Sequence, residues 1–193
     1  VVTADILEEL HLDSSQIGLE TESRYLSVDL YDRISGALPQ AGLQNGSGMI
    51  ESSRLIKSDR EIEYLREAAH FSEYGMQAGG AAVSEGASEL DIAAAVHAAL
   101  DQVGSVYTGL PAFITSGPRT ELVHATGTPR VVENGELVFL EIPGCAHRYH
   151  AAHTRSVYVG DPPEIVVRAS EVATEALAVA KSHMRPGVPA RDV

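Results

Sequence analysis

The chain has 193 residues, the length of one domain or of one domain with a piece of another, and its 44% hydrophobic and 21% charged content excludes a disordered protein. Acidic residues outnumber Lys and Arg by 27 to 14, a formal charge of −13 that repels phosphate backbones and argues against a nucleic-acid partner. No apolar run is long enough to cross a bilayer, so no membrane partner is expected; Cys145 stands alone, which excludes an intrachain disulfide and a cysteine-based zinc site and fits a reducing cytoplasm.

Residues 4–11 read as a short helix, residues 16–19 as a short strand, and residues 22–38 carry helical spacing at Leu26, Leu30, Ile34 and Leu38 before Pro39. The stretch 41–48, rich in Gly, Asn and Gln, reads as a connection. A new unit opens at Ser58, where Ser58 and Glu61 have the spacing of a capping box. Ile62, Leu65, Ala69 and Met76 then mark one helical face, which Gly79-Gly80 is expected to end. Ser88 and Asp91 start a second amphipathic helix through Ile92, Val96, Leu100 and Val103, closed by Gly104. Residues 107–115 read as a strand entering a loop. Asn134-Gly135 is expected to form a hairpin between 131–132 and 137–142, because both residues accept positive φ. A strand over 147–159 and a helix over 164–184 follow. Helices, then strands, then a helix predict an α+β domain with helices on one face of an antiparallel sheet.

Glu141 is the centre of the expected chemistry. Strand alternation puts Leu137, Phe139 and Glu141 on one face and Val138, Leu140 and Ile142 on the other. A carboxylate in so apolar a run needs a cation, hydrogen-bond donors, a metal or a substrate to meet it. The competing possibility is a strand-end glutamate turned to solvent beside Pro143-Gly144. His124, His147, Tyr149, His150 and His153 crowd the neighbouring segments, with His147, Tyr149 and His153 on one face of their strand and His150 on the other. None of this has the spacing of a helical His-x-x-x-His zinc site.

Three stretches carry a family resemblance. They are Arg54 to Ile62; His124 with Pro129-Arg130 and Gly135-Glu136; and Tyr149 through Thr154-Arg155-Ser156 to Gly160. From residue 52 to 193 the chain resembles the creatinase, prolidase and aminopeptidase P superfamily, whose catalytic domain has the pita-bread fold. Residues 1–51 resemble the end of a creatinase-type N-terminal domain. The resemblance implies that residues 52–193 are the first half of the catalytic domain, a fragment of a longer enzyme that is a homodimer when complete.

Metallopeptidases of this superfamily have their first metal-binding aspartate where this chain has Glu141 and their second where it has Ala152. The resemblance therefore implies no bridged metal pair and no cofactor. Creatinase has a glutamate where this chain has Thr154, which argues against creatine as substrate. Glu141-Ile142, Gly144-Cys145 and Arg148-Tyr149-His150 most resemble the ectoine hydrolases of the superfamily. That likeness implies a small cyclic amidine, ectoine or similar, as substrate, with Glu141 as nucleophile, His124 in proton transfer, and Tyr149 or His150 orienting the substrate. A metal-dependent Xaa-Pro peptidase and a binding module that has lost its chemistry are the two other readings.

Overall fold

The computed structural model describes residues 2–193, which divide into two compact units, one up to Ser58 and one from Asp59 to Val193. In the first unit, α1 (Val2–Glu9) is followed by β1 (Gln16–Leu19), α2 (Val28–Ala37), β2 (Gly42–Asn45) and α3 (Met49–Arg54). The two strands pair in parallel, Gln16 opposite Gly42 through Leu19 opposite Asn45, with α2 as the crossover between them. Ala4, Ile34 and Leu38 form a small core, to which Leu7, Ile17, Leu30 and Leu43 add partly buried surface.

Two expectations change here. The helix expected over 22–38 starts at Val28, because the Ser27 hydroxyl accepts the Leu30 N–H as an N-cap and the residues before it turn. The expected connection 41–48 contains β2, whose Gly42, Gln44 and Asn45 have little strand propensity; pairing with β1 supplies what local preference does not.

The second unit holds α4 (Asp59–Ala82), α5 (Glu89–Gln102), β3 (Phe113–Ser116), a 3₁₀ turn (Gly117–Glu121), β4 (Leu137–Ala146), β5 (Tyr149–Tyr158) and α6 (Glu164–His183). Its sheet is antiparallel in the order β3-β4-β5. Val138, Leu140 and Ile142 of β4 are sealed with Ile114, Ile92, Val96 and Leu100 into one core on the helix-covered face. Ser88 caps α5 in a full capping box with Asp91, and this pairing holds the Asp91 carboxyl below its ordinary range.

Gly79-Gly80 does not end α4, which runs on to Ala82. The glycines nearby are there for contact. A Cβ on Gly75 would lie 2.8 Å from Ile142, and one on Gly79 would lie 2.8 Å from Val96, so their absence lets α4 approach β4 and α5 closely. The hairpin expected at Asn134-Gly135 is likewise absent. Residues 131–132 pair instead with 86–88, through Val132 N–H to Ala87 O at 2.8 Å and Gly86 N–H to Val132 O at 3.0 Å. The true hairpin joins β4 to β5 at His147-Arg148, whose φ values of 50° and 70° suit a two-residue turn that twists with its strands. The strand expected from residue 107 begins only at Phe113.

Candidate active site

Glu141 sits in the middle strand on the face that the helices do not cover, half-buried with Leu137 and Phe139. Phe113 of β3 is directly opposite it on one side and Thr154 of β5 on the other. Residues directly opposite in an antiparallel ladder project to the same face. Ala152, opposite Pro143, is therefore the diagonal neighbour of Glu141 on that face. The carboxylate is thus flanked by an aromatic ring, a hydroxyl and a methyl group.

His124 reaches the same neighbourhood from a loop. Its φ is 57°, a left-handed conformation uncommon for a residue with a side chain, and its ring lies against that of Phe113 at 4.9 Å between centroids. Thr126 then bridges to Phe113 through the backbone. Phe113 is the shared neighbour of Glu141 and His124.

The ladder separates Tyr149 from His150. Tyr149 is opposite Ala146 on the helix side; its hydroxyl donates to Glu61 at 2.7 Å and its ring packs 5.6 Å from that of Tyr64, both on α4. The substrate-orienting role implied for Tyr149 does not follow from that placement. His150, opposite Cys145, is on the parity of Glu141, but its Nε2 accepts the Gly109 N–H at 2.9 Å. That bond leaves the proton of the neutral ring on Nδ1. Arg148 stacks 4.4 Å over the Tyr107 ring and Cys145 N–H donates to Ser105 Oγ at 2.9 Å, so the hairpin end holds the loop before β3.

Sequence reasoning missed a second carboxylate. Glu89, in the first turn of α5, is fully buried. Its Oε1 accepts Ser116 N–H at 2.8 Å and Ser116 Oγ at 2.9 Å; its Oε2 accepts Thr128 N–H and Thr128 Oγ1, each at 2.8 Å, and pairs with Arg119. Ser116 Oγ also accepts Arg130 at 2.7 Å, and Arg130 pairs with Glu136. The guanidinium beside it holds the Glu136 carboxyl below the ordinary carboxylate range, and Glu136 in turn raises Arg130. A signal was available: Glu89 falls on the apolar stripe of α5 with Ile92, Val96 and Leu100, as Glu141 falls within an apolar strand.

The open-faced antiparallel sheet backed by helices has the pita-bread architecture. The solved X-Pro aminopeptidase of Thermotoga maritima superposes with a TM-score of 0.82 at 25% identity, covering 94% of this chain and 51% of that one. The chain belongs to metallopeptidase family M24, whose model matches residues 63–193. Among curated relatives, the ectoine hydrolase of Halomonas elongata is 29% identical over 92% of this chain and 47% of its own length. The Xaa-Pro dipeptidase of Pyrococcus horikoshii is 28% identical over 75% of this chain and 41% of its own. This chain spans about half the length of such relatives or less.

The family is one of metallopeptidases, and on this half-length chain the ladder places no second carboxylate beside Glu141. The diagonal neighbour of Glu141 is Ala152, whose methyl cannot ligate, and its direct neighbours offer a ring and a single hydroxyl. Among the described residues no group of three or more His, Cys, Asp and Glu side chains could hold an ion.

Proposed function

We propose that the whole protein is a hydrolase that opens a cyclic amidine, ectoine or a close analogue, by attack of Glu141 without a metal. The observation that carries this reading is the setting of Glu141, a lone carboxylate on the open face of the sheet with Ala152 beside it in place of a second ligand. A cyclic amidinium is a delocalised cation with an electrophilic central carbon. An anionic oxygen held against it attracts it by charge and needs no Lewis acid to make the carbon reactive.

A Glu141 oxygen adds to the amidinium carbon. Collapse of the adduct breaks one ring C–N bond; the departing nitrogen takes a proton, leaving an imidate joined to Glu141. Water then adds to the same carbon and displaces the carboxylate, giving N-acetyl-diaminobutyrate when ectoine is the substrate. One water is consumed per ring opened. His124 is the proton carrier in this scheme, delivering the proton to the leaving nitrogen and recovering one from the attacking water. His150, on the same sheet face as Glu141, orients the substrate in this scheme.

The competing activity is that of an Xaa-Pro peptidase, which the likeness to the Thermotoga and Pyrococcus proteins favours. Incubation of the full-length protein with ectoine and with Xaa-Pro dipeptides, with and without chelator, tests the choice. Ring opening that survives chelation is expected. Dipeptide hydrolysis abolished by chelator and restored by manganese or cobalt would replace this reading with the peptidase.

A further inference from the structure

Glu89 is a buried carboxylate for which the proposed chemistry has no use, and its partners lie at both ends of one loop. Oxygen Oε1 takes both donors of Ser116, where β3 ends. Oxygen Oε2 takes Arg119, two residues into the following 3₁₀ turn, and both donors of Thr128, where the loop returns. Arg119 closes the loop a second time by donating to Thr126 O at 3.0 Å. Between these tied ends the chain carries His124, exposed, in a left-handed backbone conformation and resting on the Phe113 ring. A conformation of that kind persists where the surroundings hold it.

We infer that Glu89 is the positioning residue for His124: its carboxylate draws residues 116–128 into a closed loop and so fixes the imidazole over Phe113, the residue paired with Glu141 in the sheet. This rests on the reading of His124 as the proton carrier. A loop tied only at Ser116 would leave His124 free to swing on the backbone from residue 120 onward. The double attachment through Arg119 and Thr128 removes that freedom. Only a carboxylate suits the position: all its partners here are donors, and an amide at Glu89 would turn an NH₂ towards Ser116 or Thr128. Glu89 touches no reacting atom.

The test uses the full-length protein and the loop side of the clamp, because Glu89→Gln risks misfolding. Thr128→Val removes one donor to Oε2 at nearly constant volume, and Thr128→Ser restores it. Hydrogen exchange of amides 120–127, and the ring-current shift of the His124 imidazole protons over Phe113, report positioning whatever the substrate is. Thr128→Val is expected to speed exchange in the loop and shift the His124 ring signals towards solvent values, with Thr128→Ser close to wild type. For ectoine, kcat falls about 10-fold, less than the ~100-fold that an ångström of misplacement can cost, while KM changes little. In a His124→Ala background the same change lowers kcat no further. Unchanged loop exchange and His124 shifts, or an equal loss of kcat with and without His124, would overturn the inference. Wild-type protein that fails to open ectoine would overturn the proposed function instead, and the exchange and ring-shift measurements would still decide the role of Glu89.

Discussion

Replacement of Gly144 by alanine tests the packing that holds the Glu141 strand. A Cβ at Gly144 would stand 2.0 Å from the Ala68 carbonyl oxygen and 2.6 Å from the Ser72 nitrogen, both backbone atoms of α4. Carbon and oxygen normally approach to about 3.3 Å, so helix and strand must part by roughly 1.3 Å. They have little room to do so. The Ser72 hydroxyl donates to Ile142 O at 2.6 Å across this contact, and Gly75 already brings α4 hard against Ile142. Overpacking of this kind costs about 1–3 kcal/mol, and contact with backbone places it near 3; losing the buried Ser72 bond adds about 1. The total is about 4 kcal/mol, a large part of the ordinary stability of a folded domain. Urea unfolding followed by circular dichroism, with Gly80→Ala as control, measures the loss. Gly80 is a helical glycine with nothing within 4 Å of its built Cβ, and its replacement should stabilise by about 0.5–1 kcal/mol. If Gly144→Ala unfolds within about 1 kcal/mol of wild type, the close approach of α4 to β4 described above is wrong.

Glu141→Gln should abolish ectoine turnover and leave weakened binding measurable by calorimetry, since the amide keeps the shape but loses nucleophilicity and charge. Glu141→Asp should be nearly as inactive, because one methylene less withdraws the attacking oxygen; near-normal turnover in that variant would remove Glu141 as nucleophile. Tyr149→Phe should cost about 1.5 kcal/mol of stability through the lost bond to Glu61 and leave KM for ectoine unchanged, whereas His150→Ala should raise KM by freeing the loop at Gly109; Michaelis kinetics and urea titrations separate the two. Arg130 depresses the pKa of Glu136 in the folded state. The stability gained from that pair is therefore fully present above the unfolded carboxyl value of about 4.3 and is lost as pH falls through the lower folded value. Unfolding midpoints measured downward from pH 6 should consequently drop more steeply in wild type than in Glu136→Gln.

Local spacing determined a good part of this protein. The alternation of Leu137 to Ile142 fixes which face of β4 is sealed and which carries Glu141, because successive strand side chains must oppose one another. The Ser88–Asp91 pair fixes the start of α5, since a side chain and a backbone amide three residues apart satisfy each other without outside help. Tertiary structure decided what depends on partners distant in sequence. Gly79-Gly80 reads as a helix terminator until Val96 is seen against Gly79. Residues 131–132 have the pattern of a hairpin arm, but their hydrogen bonds go to 86–88, and the tight turn forms at His147-Arg148 without a glycine. Tyr149 and His150 are adjacent in the chain, yet one bonds α4 and the other the loop before β3, because neighbouring strand residues face opposite ways and α4 packs on the face that Tyr149 shares. Glu89 shows the limit most clearly. Its place on an apolar helical stripe was readable, but the donors from Ser116, Arg119 and Thr128 that make its burial tolerable meet only when the loop carrying His124 has folded over the start of α5.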